Sequence, residues 1–145
     1  MTDFPNPNFS IDLTDQVAFV TGTTSGLGIR FAKVLAKCGA KVILSGRRVE
    51  ILESLAEEIR ADGGICEPIR IDMTDRESIR SAHKQAEEVF GTVNILINNA
   101  GIPDAQWAIK MSDELIDNVF DTNLVGPWVL SLEVAKRLIE QKLPG

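Results

Sequence analysis

An apolar run, Val17-Ala18-Phe19-Val20, passes straight into Thr21-Gly22-Thr23-Thr24-Ser25-Gly26-Leu27-Gly28, and a helix-periodic stretch follows at once. Few junctions constrain a chain more. Glycines allow several backbone N–H groups to share one concave face, and the helix behind them adds the positive end of its dipole. Strand, glycine loop and helix in that order predict a phosphate-holding junction in an α/β domain, and everything downstream has to be compatible with it.

The downstream pattern is compatible. Phe31, Val34, Leu35 and Cys38 fall at helical spacing, and Gly39 is placed to stop that helix. Residues 41–45 are almost wholly apolar between their ends, as a strand covered on both faces should be. Gly46-Arg47-Arg48 then leads into a second helix carrying Ile51, Leu52, Leu55 and Ile59, which ends near Asp62-Gly63-Gly64. A third strand over 65–71 contains Pro68, and a residue with no N–H to donate belongs at a sheet edge. Thr74 followed by Glu77 reads as a capping box for a helix with Ile79, Ala82, Ala86 and Val89 on one face; His83 lies off that stripe and is expected in solvent. A fourth strand over 93–97 reads as a central one and ends in Asn98-Asn99-Ala100-Gly101. From Ser112, with Asp113 and Glu114 in the first turn, the chain is expected to be helical to about Leu143, interrupted by Gly126-Pro127.

Strand and helix thus alternate four times, and right-handed crossovers give a parallel sheet in the order 3-2-1-4, wound on both faces. The glycine loop after strand 1 and the Asn-Asn-Ala-Gly turn after strand 4 should face each other where the winding reverses, and a ligand should bind there. Residues 1–15, with Pro5, Asn6, Pro7 and Asn8, read as a surface arm, with Phe4, Phe9 and Ile11 available to dock on the body at 16–145.

Composition narrows the function classes. A length of 145 residues suits one domain, and a net charge of −6 with scattered basic residues argues against a nucleic-acid surface. Cys38 and Cys66 have neither the spacing nor the histidine neighbours of a metal site and read as reduced structural thiols. No apolar run approaches the length of a membrane span, so a soluble cytoplasmic protein with no membrane partner is expected.

Which phosphate ligand the loop suits depends on its neighbours. A nucleoside-triphosphatase loop wants Lys-Ser/Thr after its last glycine, but Gly28 is followed by Ile29-Arg30. A methyltransferase or an NAD-binding domain usually ends strand 2 in an acid that accepts from ribose hydroxyls. Here Gly46 holds that position and Arg47 follows, a side chain that cannot accept from a 2′-OH but can pair with a 2′-phosphate. NADP(H) is therefore the preferred cofactor and NAD(H) the alternative. The plainer reading, two arginines decorating a loop, is weakened because positive charge at a helix start gains nothing from the dipole. Further on, the carbonyl of Asn123 should receive the N–H of residue 127, which is proline and has none. Either that carbonyl is left open to hold a water, or Gly126-Pro127 only separates one helix from the next.

Thr-Gly-x-x-x-Gly-x-Gly at 21–28, Asp72-Met73 at the exit of strand 3, Asn98-Asn99-Ala100-Gly101 and Asn123 together resemble the short-chain dehydrogenase/reductases, in the right order and the right elements. The resemblance implies a Rossmann-type doubly wound sheet and hydride transfer between a nicotinamide cofactor and a small carbonyl or alcohol substrate. It implies that Gly22, Thr23, Thr24, Ser25, Gly26, Leu27 and Gly28 hold the pyrophosphate and that Asp72 and Met73 flank the adenine. Asn99, Ala100 and Gly101 would line the nicotinamide-side ribose, and Asn123 would anchor a water of the proton relay through its main chain; for Asn98 the plainer reading, a turn residue that satisfies loop backbone groups, is preferred. Residues 103–110, with Trp107, would form one wall of the substrate pocket.

The family also implies a fifth strand with a serine and a Tyr-x-x-x-Lys pair. This chain contains no tyrosine and ends where that strand should begin. His83, Asp104, Asp113 and Glu114 offer no convincing substitute. The expectation is a cofactor-binding portion truncated before strand 5, homo-oligomeric in its full-length form as relatives are, through the long helices after strands 4 and 5, with Trp128, Leu132 and Leu138 on the last helix of this chain serving core or interface. The alternative is a nucleotide-binding or interaction module without hydride chemistry. The edge of strand 4, blunted by neither charge nor proline, favours truncation.

Overall fold

The computed structural model describes residues 12–103 and 106–144. The expected docking of Phe4, Phe9 and Ile11, and the placement of Asp104, lie outside the described residues. Four parallel strands, β1 (Val17–Thr21), β2 (Lys41–Gly46), β3 (Ile65–Arg70) and β4 (Ile95–Ile97), form one sheet in the order β3-β2-β1-β4. Helices α1 (Gly26–Lys37), α2 (Val49–Ala61) and α3 (Arg76–Phe90) make the crossovers, and α4 (Asp113–Phe120) and α5 (Gly126–Gln141) follow β4. This is the Rossmann-type α/β arrangement expected from the alternation.

Each strand sends alternate residues to opposite faces. Ala18, Val20, Val42 and Leu44 pack with Ala32 and Ala36 of α1 and Leu52, Leu55 and Ile59 of α2. Val17, Phe19, Ile43 and Ile69 pack with Ile79, Ala82 and Ala86 of α3 and Leu130 and Val134 of α5. Burial on both faces is why β1 and β2 read as unbroken apolar runs. Side chains as fully buried as Ile43 and Leu44 each contribute about 1.5–3 kcal/mol relative to exposure.

Pro68 lies on the outermost strand, opposite Leu44. The Ile71 N–H reaches the Gly46 carbonyl, so by strand alternation the nitrogen of residue 68 points away from β2, where no ladder bond is missed.

Several local expectations are corrected. The sheet-facing side of α1 is Gly28, Ala32 and Ala36, small enough for close approach, while Val34 is half exposed and Phe31 and Leu35 are only partly buried. Val89 is likewise half exposed. Asp75, not Thr74, caps α3: its carboxylate accepts from the Glu77 N–H at 2.9 Å, while the Thr74 hydroxyl donates to Asp72 Oδ1 at 2.8 Å. His83 is buried, not solvated, because α5 packs along a second stripe of α3, with Arg137 bonding Glu87 across the two helices at 2.9 Å. Regular strand structure in β4 starts at Ile95 rather than Val93, after Asn94 has accepted from the Val17 N–H.

The helical stretch after Ser112 divides in two. Ser112 caps α4 by accepting from the Leu115 N–H, with Asp113 and Glu114 in the first turn. A π-helical turn (Asp121–Val125) then joins α4 to α5, where the Gly126 N–H donates to the Asp121 carbonyl and Pro127 sits in the first turn of the new helix. Leu138 belongs to the core, whereas Trp128 and Leu132 are exposed.

Candidate functional site

The glycine loop is built by close backbone packing. Gly22 takes a left-handed φ of +73° and donates to the Ser45 carbonyl at 2.8 Å, which pins the loop to the end of β2. A Cβ at residue 28 would lie 2.2 Å from the Gly22 carbonyl oxygen and 2.7 Å from Asn99 Nδ2, so only glycine lets α1 start this close to the turn. Ser25 is the N-cap residue, with extended backbone and no side-chain bond to the helix end. The first amides of α1, which have no partner within the helix, therefore open toward the space in front of the loop.

The second wall comes from the turn after β4. The Thr21 hydroxyl, wholly buried, accepts from the N–H groups of Asn99 and Ala100 at 3.0 and 2.9 Å. The Asn99 side chain returns two bonds to the carbonyls of Thr21 and Gly22. Asn98 instead donates to the Ser131 hydroxyl on α5 at 3.0 Å, a side chain of another element rather than the loop backbone groups expected.

Between these walls, at the carboxyl ends of the strands where the winding reverses, lies a cleft of roughly 840 Å³. Of the sequence-predicted residues it brings together Gly22, Thr24, Ser25, Gly26, Leu27, Arg47, Asp72, Met73, Asn99, Ala100 and Gly101. Thr23 and Gly28 are not on its surface; Thr23 is fully buried, with its hydroxyl toward the Ser45 carbonyl. Asn123 does not line it either. Its side chain bonds both backbone groups of Ile102, accepting from the N–H at 2.9 Å and donating to the carbonyl at 3.0 Å, and so sets the position of a residue that does line the cleft.

Sequence reasoning missed Ile71, Ile102 and Thr122 as lining residues, expected Pro103 in a substrate-pocket wall, and gave Arg48 no role of its own. Ile71 and Ile102 had the clearest available signal, since each adjoins a motif already singled out. Trp107 is largely exposed and lies outside the cleft.

Charge in the cleft is mixed. Arg47 has no hydrogen bond or ion pair among the described residues, whereas Arg48 donates to the Thr24 hydroxyl at 2.7 Å. Partial burial pushes the Asp72 carboxyl up, but the two hydrogen bonds from Thr74 and the charges of Arg47 and Arg70 outweigh it, and the net shift is downward. Asp72 therefore stays ionised beside Arg47. Among the described residues no cluster of His, Cys, Asp and Glu could hold a metal, and no helix is long and apolar enough to cross a membrane.

Comparison with known proteins agrees with this architecture. The family model for short chain dehydrogenases matches residues 16–143. An uncharacterized oxidoreductase of Caenorhabditis elegans is 36% identical over 132 residues, which cover 90% of this chain and 42% of that protein. A short-chain type dehydrogenase/reductase from Mycobacterium marinum superposes with a TM-score of 0.89 at 32% identity, over 93% of this chain and 55% of that one. A metagenomic short-chain oxidoreductase in complex with NADP does so with a TM-score of 0.85 at 32% identity, over 90% and 60%. The chain spans about half the length of the curated relatives it matches. On the matched region and the shared fold, the chain belongs to the short chain dehydrogenase family.

Proposed function

We propose that these residues form the NADP(H)-holding portion of an oxidoreductase that transfers a hydride between the nicotinamide ring and a small carbonyl or alcohol. The observation that carries this reading is the placement of Arg47, with Gly46 in the position of an acid, on the cleft opened by the glycine loop and the α1 N-terminus. The amides of α1 would hold the pyrophosphate, and the Arg47 fork would pair with a 2′-phosphate. Asp72 and Met73 would flank the adenine, and Asn99 to Gly101 the second ribose. The NADP bound by the metagenomic relative supports a nicotinamide dinucleotide as the ligand.

Asn123 has two parts in this reading. Its side chain fixes Ile102, and its carbonyl, denied an N–H by Pro127, would hold a relay water. The tyrosine that would exchange the substrate proton is not among these 145 residues, so they would bind cofactor without turning it over. The same absence also suits a nucleotide-binding module without hydride chemistry. Against that module, the outer edge of β4 presents Ile95, Leu96 and Ile97 with neither charge nor proline, which suits a further strand. In the longer protein, pairing of subunits through the long helices after strands 4 and 5 would follow.

The test is to mix the purified chain with NADPH and a panel of small carbonyl compounds while following absorbance and bound nucleotide. Bound NADPH without steady oxidation is expected. Steady turnover would overturn the division of labour, and failure to bind would overturn the reading itself.

A further inference from the structure

We propose that Thr24 is a second determinant of cofactor preference beside position 46: held in place by Arg48, it fills the space that an acidic side chain at position 46 would need, so the acceptor for a free 2′-hydroxyl cannot be installed there while Thr24 stays. The proposal rests on the dinucleotide reading above.

Gly46 ends β2 in ordinary strand conformation, without a positive φ, so glycine is here for space rather than for backbone freedom. A Cβ at residue 46 would meet Thr24 Cγ2 at 2.9 Å, closer than such contacts normally come, with Leu52 Cδ2 next at 3.7 Å. The Thr24 methyl group sits on a short β-branched side chain and escapes only by turning χ1. That turn carries Oγ1 away from Arg48, which donates to it at 2.7 Å and reaches the Thr24 carbonyl at 3.4 Å. Arg48 is itself the N-cap residue of α2, so its backbone is set by the helix. Gly46, Thr24 and Arg48 therefore interlock across the mouth of the cleft, which all three line.

A ribose with a free 2′-hydroxyl needs an acceptor at the end of β2, and a carboxylate at position 46 would supply one. In this chain that carboxylate cannot be added without displacing Thr24 and breaking its bond to Arg48. The cationic corner and the filled space thus act together: one attracts a 2′-phosphate, and the other bars the acid that would read the 2′-hydroxyl instead. Exchanging the residue at position 46 alone should disable the site rather than convert it.

Two measurements test this. In calorimetric titrations with NADP⁺ and NAD⁺, Gly46→Asp should lose NADP⁺ affinity without binding NAD⁺ more tightly than the parent. Gly46→Asp/Thr24→Ala should bind NAD⁺ at least about tenfold more tightly than the single variant, the scale of discrimination that one relieved packing conflict supplies. In thermal melts without nucleotide, Gly46→Ala should lower the midpoint by several degrees in the parent and by clearly less in a Thr24→Ala background. NAD⁺ binding by Gly46→Asp alone as tight as by the double variant would overturn the proposal, as would equal melting losses in both backgrounds. A parent that binds neither dinucleotide would instead overturn the dinucleotide reading, and the specificity claim with it.

Discussion

The side-chain amide of Asn99 donates to the carbonyls of both Thr21 and Gly22, at 2.9 and 3.2 Å, and so ties the turn after β4 to the glycine loop after β1. Two segments separated by more than 70 residues become one wall of the cleft. Asn99→Ala leaves these part-buried carbonyls without their donor and should destabilise the fold by about 1–3 kcal/mol. It should also weaken nucleotide binding. Denaturant unfolding and calorimetry of the same variant check both effects, and unchanged stability would mean that the tie is dispensable.

Gly28 makes a related but distinct prediction, because its constraint is space rather than bonding. An added Cβ would lie 2.2 Å from the Gly22 carbonyl oxygen, a backbone atom that cannot swing aside. Gly28→Ala should cost about 1–3 kcal/mol or more and displace the loop from the start of α1. Nucleotide affinity should fall even at temperatures where circular dichroism shows the variant folded. A variant that binds like the parent would show that the loop can relax without loss.

His83 gives a pH signature. Burial between α3 and α5 pushes its imidazole below the ordinary value; Glu87 and Glu133 pull it up by less, and Arg137 adds to the lowering. Its Nε2 has no hydrogen-bond partner among the described residues. The folded state therefore binds fewer protons than the unfolded state just below about pH 6.5. The contribution of neutral His83 is fully present above that pH and is lost as pH falls toward the folded-state value, with a slope of at most about 1.4 kcal/mol per pH unit. Subtracting the unfolding free energy of His83→Leu from that of the parent isolates this slope from the carboxylates. A difference that stays flat from roughly pH 7.5 to 5 would contradict the assignment.

The cap of α3 can be decided by a pair of variants. Asp75 accepts from the Glu77 N–H, whereas among the described residues the side-chain and main-chain donors of Thr74 bond only to Asp72. Asp75→Ala should cost about 0.5–2 kcal/mol, and Thr74→Ala clearly less. The reverse order in urea unfolding would restore Thr74 as the cap.

The cap and His83 also show where the sequence stops being informative. Thr74 and Asp75 are both good capping residues, and Glu77 suits either; a shift of one residue in the helix start is invisible to composition. His83 lies off the stripe that faces the sheet, and nothing local reveals that α5, more than 40 residues later, covers the next stripe. By contrast, the strand order, the edge position of β3 and the cleft at the winding reversal follow from period, Pro68 and short connections, and all were legible. The glycine loop was legible because its residue types answer backbone demands. Thr24 and Arg48 were not, since their bond joins side chains 24 residues apart. Asn123 was singled out for its main chain, yet the structure shows its side chain, set within the π-helical turn, clamping Ile102, 21 residues away in sequence.

The central claim is that the cleft selects a dinucleotide carrying a 2′-phosphate through Arg47, and titrating NADP⁺ and NAD⁺ into the parent and Arg47→Asp tests it most directly. The parent should favour NADP⁺ by about 1.5–3 kcal/mol, the scale of hydrogen bonds to charged groups, or roughly ten- to a hundredfold in affinity. Arg47→Asp should abolish that preference. Equal affinities for the two nucleotides in the parent and the variant, or binding of neither by the parent, would contradict it.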